Sequence, residues 1–302
     1  MKYFLFVLTF ITLMNLPTYS QTTPGTAETF RVFDGQGNPS SLEKILESIG
    51  ANDVIFLGEN HDDPVAHKLQ FEIFKQAIEK YGAKRKVALS MEMFERDVQT
   101  ELDEYLRDLI SETHFMSSTR PWGNYKTDYR PLVELAKEKK LPVVAANAPR
   151  RYVNMVSRNG RESLDALSPE AKKWIAPLPY EKATDAYRKK FEALMGGSSE
   201  ANKLGLPKIV DSQSLWDATM AYSIAEQLKK EKKSLVVHLN GSFHSENRWG
   251  IADHLVKYRS KTKFLVVTIR YEQEFTKFDK DKHTGLGDFV ILTDAKQPRS
   301  GK

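Results

Sequence analysis

The sequence contains no cysteine among its 302 residues. This absence excludes disulfide bonds, thiolate metal sites, a lipid-attachment cysteine and the Cys-x-x-Cys-His attachment of covalent haem. Recognition motifs for nucleic acids are also missing, and the net charge of +5 is the small difference between 45 basic and 40 acidic residues. A mild, dispersed charge of this kind is not typical of a DNA- or RNA-binding surface, so we expect no nucleic-acid partner.

Long hydrophobic runs are scarce, and the exception lies at the start of the sequence. Met1 and Lys2 form a short basic segment, and Tyr3 to Leu16 is almost wholly apolar. Pro17 and the small residue Ser20 follow before Gln21. This pattern is typical of a secretory signal peptide over residues 1–20. We expect a single domain over residues 21–302, exported to the periplasm or secreted, with no membrane span after cleavage. An uncleaved anchor is the alternative.

Short apolar segments alternate with amphipathic helical segments along the rest of the chain. Val54–Leu57 is typical of a strand buried on both faces, and Asp63 with Pro64 predicts the start of a helix. The alternation predicts an α/β fold with a mainly parallel sheet flanked by helices. A polar, helix-prone stretch over about 150–207 predicts an inserted helical lid, and a solvated helical excursion with no ligand role is the alternative.

Ionisable side chains follow several of the predicted strands. They occur in two Gly-x-x-His turns and after the strand at residues 87–91, and they are Glu59, His61, Glu92 and His244. If the strands are neighbours, these groups converge in one crevice at the carboxyl edge of the sheet. Two imidazoles and two carboxylates suit a divalent metal ion, and they equally suit metal-free acid/base catalysis.

The same turns belong to ordered blocks that resemble the ChaN-like haem-binding uptake family, within a wider superfamily that includes Tiki/TraB-like proteins and erythromycin esterases. The blocks span about residues 54–254, and they are Gly58–Asp62 with His67 and Gln70, Met91–Phe94 with Gln99, Trp122 with Tyr129–Leu132, Ala146–Arg150, Gln213–Ala221 and Gly241–His244.

The resemblance implies an exported protein that binds haem noncovalently and is linked to haem or iron uptake. Phenolate oxygen is a known axial haem ligand, and the tyrosines that we consider are Tyr125, Tyr129, Tyr180 and Tyr187. Arg150 is a candidate partner for the haem propionates, and a homodimer is a further expectation. The alternative function is a metal-dependent hydrolase, as in the Tiki-like and esterase-like members, that uses Glu59, His61, Glu92 and His244 as ligands or catalytic groups.

Overall fold

The computed structural model describes residues 28–195 and 205–301, so the predicted signal peptide lies outside the described residues. Within these ranges the strands form a seven-stranded sheet in the order β1-β7-β6-β2-β5-β3-β4. The strands are β1 (Phe30–Asp34), β2 (Val54–Glu59), β3 (Val87–Glu95), β4 (Val143–Asn147), β5 (Leu235–Gly241), β6 (Phe264–Glu272) and β7 (Phe289–Asp294). All neighbouring strands are parallel except β1 and β7, which pair antiparallel.

Helices cover both faces of the sheet. They are α1 (Leu42–Ile49), α2 (Pro64–Tyr81), α3 (Gln99–Leu106), α4 (Glu112–Thr119), α5 (Arg130–Glu138), α6 (Arg150–Asn159), α7 (Pro169–Lys172), α8 (Asp185–Leu194), α9 (Leu206–Lys230), α10 (Ile251–Tyr258) and α11 (Lys280–His283). The start of α2 is as predicted: the Asp63 side chain accepts hydrogen bonds from the backbone amides of Val65 and Ala66, and Pro64 occupies the first turn.

The two faces of β2 belong to two separate hydrophobic clusters. Ile55 and Leu57 pack with side chains of α1, α2 and α5, whereas Val54 and Phe56 pack with side chains of α9 and α10. Successive side chains of a strand point to opposite faces, so a strand covered on both sides must be apolar at every position. The structure therefore confirms the predicted α/β fold with a mainly parallel sheet.

Two local predictions differ from the structure. β3 does not end at Met91 but continues to Glu95, with a register shift between these two residues in its pairing with β4. Glu92 consequently lies within the strand rather than after it. After β3 the chain forms a short 3₁₀ turn over Arg96–Val98, and helix α3 begins at Gln99.

Between β4 and β5 the described residues are largely helical, as the sequence predicts. Helix α6 and the turns that follow it share a hydrophobic cluster with the first half of α9, through Val153, Val156, Tyr180 and Leu215. The bounds of the insertion and its role as a lid stay predictions. None of the helices in the described ranges is both long enough and apolar enough to cross a membrane.

Candidate functional site

Three adjacent strands bring the predicted strand-end residues together. Strand β5 lies between β2 and β3, and Glu59 is the last residue of β2, paired in register with Gly241 of β5. His61 Nε2 and His244 Nε2 each lie 3.9 Å from Glu92 Oε1. The expectation that these four side chains share one crevice is met by the structure, because parallel strands present their carboxyl ends at one edge.

Glu59 is buried, and three side chains surround its carboxylate. The Tyr129 hydroxyl donates to Oε1 at 2.6 Å, and His61 Nδ1 lies 2.9 Å from the same oxygen. His67 Nδ1 lies 3.1 Å from Oε2 in an ion pair. Burial alone would raise the pKa of Glu59, but the contacts with His61 and His67 outweigh it and lower the pKa to about 2. Glu59 is therefore an anion that anchors two imidazoles.

The His61 ring lies directly against the backbone of Gly241. A Cβ at residue 241 would stand 2.7 Å from His61 Nε2, so only glycine leaves room for the ring. On its other side the ring meets Trp122 edge-on, with centroids 4.7 Å apart. Burial lowers the pKa of His61, but Glu59 and Glu92 raise it by more, so the net shift is upward.

The Glu92 side chain binds a backbone amide of β5 in the part of β3 where the pairing with β4 is irregular. Its Oε2 accepts a hydrogen bond of 2.7 Å from the backbone amide of Gly241. The same side chain thus holds the turn that carries His244, and its other oxygen faces both imidazoles. Glu92 lies between Met91 and Glu95, where the pairing of β3 with β4 changes register.

His244 has a carboxylate partner that we did not predict as a site residue. Its Nδ1 lies 2.7 Å from Asp217 Oδ1, and both residues are buried. Burial lowers the pKa of His244, whereas Asp217 and Glu92 raise it to about 9. Asp217 lies on α9 inside the block Gln213–Ala221 that carries part of the family resemblance. Membership of that block is the feature of the sequence that could have identified Asp217 as a site residue.

The four side chains do not form a metal site. Across residues 28–195 and 205–301 no group of three or more His, Asp or Glu side chains is arranged to hold a metal ion. The Nδ1 atoms of His61 and His244 are each taken by a carboxylate, and Glu59 Oε1 is taken by two donors. The expected divalent-metal site at Glu59, His61, Glu92 and His244 is thus not supported by the geometry.

All four tyrosines that we considered as haem ligands lie in the interior. Tyr129 donates its hydroxyl to Glu59, and Tyr180 donates to the Asp211 carbonyl at 2.8 Å. The hydroxyls of Tyr125 and Tyr187 are buried, and no hydrogen-bond partner for them lies among the residues that the structure describes. Burial raises the pKa of each of the four phenols, which disfavours a phenolate. The four side chains are thus buried in this structure, and the choice of a haem-ligating tyrosine among them stays a prediction.

A cleft of about 990 Å³ opens beside the crevice. Its lining combines apolar, imidazole and guanidinium side chains, including His61, Met93, Pro121, Trp122, Arg120, Arg150 and Arg151. Arg120 pairs with Glu95 at 3.0 Å and Asp97 at 2.8 Å, and Arg151 pairs with Asp97 at 2.5 Å. Arg150 is exposed at the start of α6, where the sequence placed a candidate partner for propionates.

Comparison with known families matches this chain over residues 45–255 to the family described as haem-binding uptake, Tiki superfamily, ChaN. The chain belongs to this haem-binding family. The match includes both Gly-x-x-His turns and Asp217 on α9, so the whole crevice lies within the ChaN family region. A sequence search among curated proteins found no relative.

Solved structures similar to this ChaN family member share its fold. One is described as cofacial haem binding to ChaN of Campylobacter jejuni, at 21% identity and a TM-score of 0.68, covering 89% of this chain and 98% of that one. Another is a Bacillus cereus protein at 11% identity and a TM-score of 0.50, covering 88% of this chain and 95% of the other. A mutant of the erythromycin esterase EreC in its open conformation has 11% identity and a TM-score of 0.46, covering 88% of this chain and 83% of the other. That last likeness is too low to support an inference about activity.

Proposed function

We propose that this chain is an exported protein that binds haem noncovalently and takes part in haem or iron uptake. The observation that carries the proposal is the cleft of about 990 Å³ beside the strand-end crevice. Ligand clefts are typically 300–1,000 Å³ and mostly apolar with a few placed polar groups. A haem needs an apolar surface for its ring, an axial ligand for its iron and cations for its two propionates, and the lining of this cleft includes side chains of all three kinds.

His61 is the proposed iron ligand. Of the residues that line the cleft, His61 and Met93 carry atoms that bind haem iron in proteins. Met93 is only 3% exposed, whereas the His61 side chain is 28% exposed. His61 Nδ1 contacts the Glu59 carboxylate, which is the usual partner for the second nitrogen of a metal-bound imidazole. When bound, haem would supply the iron and the visible absorption. The residues of the cleft would orient the haem.

Arg150 is the proposed partner for a propionate. Arg120 and Arg151 already share the carboxylates of Glu95 and Asp97, whereas Arg150 makes no ion pair with the acidic side chains of the described residues. A guanidinium that is not neutralised can pair with a carboxylate through two parallel hydrogen bonds. We therefore expect Arg150→Ala to weaken binding of haem more than binding of its dimethyl ester.

Haem titration of the purified protein tests the proposal. We expect an intense Soret band in the wild type, its loss in His61→Ala, and its retention in Tyr125→Phe and Tyr187→Phe. Tyr152→Phe is the informative comparison, because Tyr152 is partly buried next to Arg151 and its hydroxyl lies 3.4 Å from the Arg151 guanidinium. Loss of the band in Tyr152→Phe with retention in His61→Ala would contradict the histidine assignment.

Acid/base hydrolysis is the second candidate function. Its supporting observation is that His61 and His244 each contact a carboxylate through Nδ1 while both Nε2 atoms lie 3.9 Å from Glu92 Oε1. An imidazole held by a carboxylate on one nitrogen is the usual form of a general base. Ester turnover by haem-free, chelator-treated protein that disappears in His61→Ala/His244→Ala would support it.

Export and assembly complete the proposal. The basic and apolar segments of residues 1–20 predict that protein from the native cell begins near Gln21 and is released without detergent. Intact Met1 in the membrane pellet would instead indicate an anchor. Sedimentation with and without haem would test the expected homodimer.

A further inference from the structure

A second cavity, of about 250 Å³, is lined by Asp217 but not by His244. It is enclosed by helices α8, α9 and α10 and by the residues just before α8, and it shares no lining residue with the large cleft. Because a water molecule occupies about 30 Å³, this cavity has room for about eight waters or for a ligand with a similar number of heavy atoms.

Three buried oxygens in the wall of this cavity have no hydrogen-bond partner among the residues that the structure describes. They are Asp217 Oδ2, Ser214 Oγ and the Tyr187 hydroxyl, and each of the three residues is only 1% exposed. Native proteins pair nearly all buried polar atoms, because an unpaired one costs free energy. Three unpaired oxygens beside one cavity therefore indicate a ligand that pairs with them.

Asp217 divides its two oxygens between the crevice and this cavity. Oδ1 contacts His244 Nδ1 at 2.7 Å. Oδ2 lies beside Gly250, another residue of the cavity wall, since a Cβ there would stand 3.0 Å from it. Burial and the nearby Asp217 carboxylate raise the pKa of Tyr187, yet no hydrogen bond joins the two groups. A carboxylate oxygen only accepts hydrogen bonds, so the ligand must be a donor.

The charges in the cavity wall favour a positively charged donor. Asp253 of α10 is half-buried, and burial together with Asp217 raises its pKa, so the two carboxyl groups repel each other. His254 adds no positive charge, because burial lowers its pKa and keeps the ring neutral. Lys182 and Lys257 also line the cavity, but both are exposed and can keep their ammonium groups in water.

We propose that this cavity binds a small alkylammonium ion, of no more than about eight heavy atoms. Its N–H groups donate to Asp217 Oδ2 and Ser214 Oγ and pair with Asp253, while its alkyl chain packs against the Tyr187 ring. A metal ion fits less well, because no group of three or more His, Asp or Glu side chains in the described ranges is arranged to hold one. This inference does not depend on haem binding or on the residue that binds iron.

Titration of the purified protein with n-butylammonium chloride tests the proposal, followed by calorimetry and by NMR. We expect saturable binding at a single site per chain, equal with and without haem, and changes in the Ser214 amide and His254 ring resonances. Butanol has the same chain without the charge, and tetramethylammonium has the charge without an N–H donor. Both should bind at least about tenfold more weakly, since a charge-assisted hydrogen bond is lost.

Two variants and two matched controls locate the site. Asp253→Asn should lower butylammonium affinity by at least about tenfold, and Ser214→Ala by about 2- to 10-fold, the usual effects of losing a charged and a neutral hydrogen bond. The controls are Asp211→Asn, half-buried and paired with Arg161 at 3.8 Å, and Ser212→Ala, buried on the same helix as Ser214. Neither control residue lines the cavity, so both variants should keep the wild-type affinity.

Each other outcome overturns the proposal. Equal affinity for butylammonium and butanol would make the cavity an apolar or water-filled space, and no saturable binding of butylammonium would leave it to water alone. Equal losses in the cavity variants and the controls would place the amine elsewhere. If Asp253→Asn does not fold, Ser214→Ala against Ser212→Ala decides, because the Ser214 hydroxyl has no partner to lose among the described residues.

Discussion

At the scale of single residues, glycines set the spacing of the crevice. Gly58 allows the turn after β5 to approach β2, because a Cβ at residue 58 would stand 2.9 Å from Ser242 Cα. Gly241 leaves room for the His61 ring in the same way. Both glycines belong to the Gly-x-x-His turns. The absence of a side chain at each glycine therefore helps to position the histidines.

Gly241→Ala should displace the His61 ring. The added methyl group would lie 2.7 Å from His61 Nε2 and 2.8 Å from Cε1, so the ring must move or the turn must shift. We expect weaker haem binding in titrations and a loss of about 1–3 kcal/mol in the free energy of unfolding, the usual cost of overpacking. Gly301→Ala is the control, because a Cβ there meets nothing within 4 Å. Wild-type haem affinity in Gly241→Ala would contradict the described placement of His61.

At the scale of elements, helix α8 holds the turn that carries His244. Phe243 packs edge-on between Tyr187 and Phe191, with ring centroids 5.1 Å and 5.8 Å apart. Lys190 donates to the Phe243 carbonyl at 2.7 Å and pairs with the buried Glu246 at 3.1 Å. The part of the predicted insertion that the structure describes therefore reaches the crevice through packing and charge.

Lys190→Met should destabilise the fold far more than a comparable surface change. It leaves the buried Glu246 carboxylate with the more distant Arg270, at 3.5 Å, and breaking a partly buried pair costs about 3 kcal/mol. The matched control is Lys229→Met on α9, whose side chain is 76% exposed and pairs with Glu226 at 3.6 Å. We expect that control to stay within about 0.5 kcal/mol. Equal urea midpoints for the two variants would show that α8 does not hold this turn.

At the scale of the whole molecule, buried ion pairs make stability depend on pH in both directions. The pKa of His67 and of His244 is raised from 6.5 to about 9, so their contribution is complete below pH 6.5 and is lost as pH rises towards 9. The pKa of Glu59 is lowered from 4.5 to about 2, so its contribution is present above pH 4.5 and is lost as pH falls towards 2. His238, a core histidine whose pKa is lowered to about 3, adds to the loss below pH 6.5.

Haem-free protein should therefore be most stable near pH 6.5. Between pH 6.5 and 9 we expect the free energy of unfolding to fall by an amount on the order of 1–3 kcal/mol for each of the two histidines, since one pKa unit corresponds to about 1.4 kcal/mol. Urea unfolding at pH 6.5, 7.5 and 9 measures this, and His67→Gln should reduce the slope. A free energy of unfolding that stays constant or rises over this interval would contradict the described ion pairs.

The order of elements and the identity of the crevice residues could be predicted from the sequence, because both rest on local patterns. Continuous apolar segments such as Val54–Leu57 indicate strands buried on both faces, and Asp63–Pro64 marks a helix start. Glu59, His61 and His244 follow directly from their turns at strand ends. The resemblance to the ChaN family likewise rests on residues that are close together in the chain.

The partners of these residues were decided only by the tertiary structure. Asp217 meets His244 across 27 positions of sequence and Tyr129 meets Glu59 across 70, and no local pattern specifies contacts at such separations. The four candidate tyrosines are buried because their rings fill the core between elements, which the number of tyrosines does not reveal. The length of β3 was missed because its end depends on a register shift against β4 and on the amide of Gly241. Residue types thus determine which chemistry is available, whereas packing between distant segments determines which oxygen and nitrogen atoms remain free to perform it.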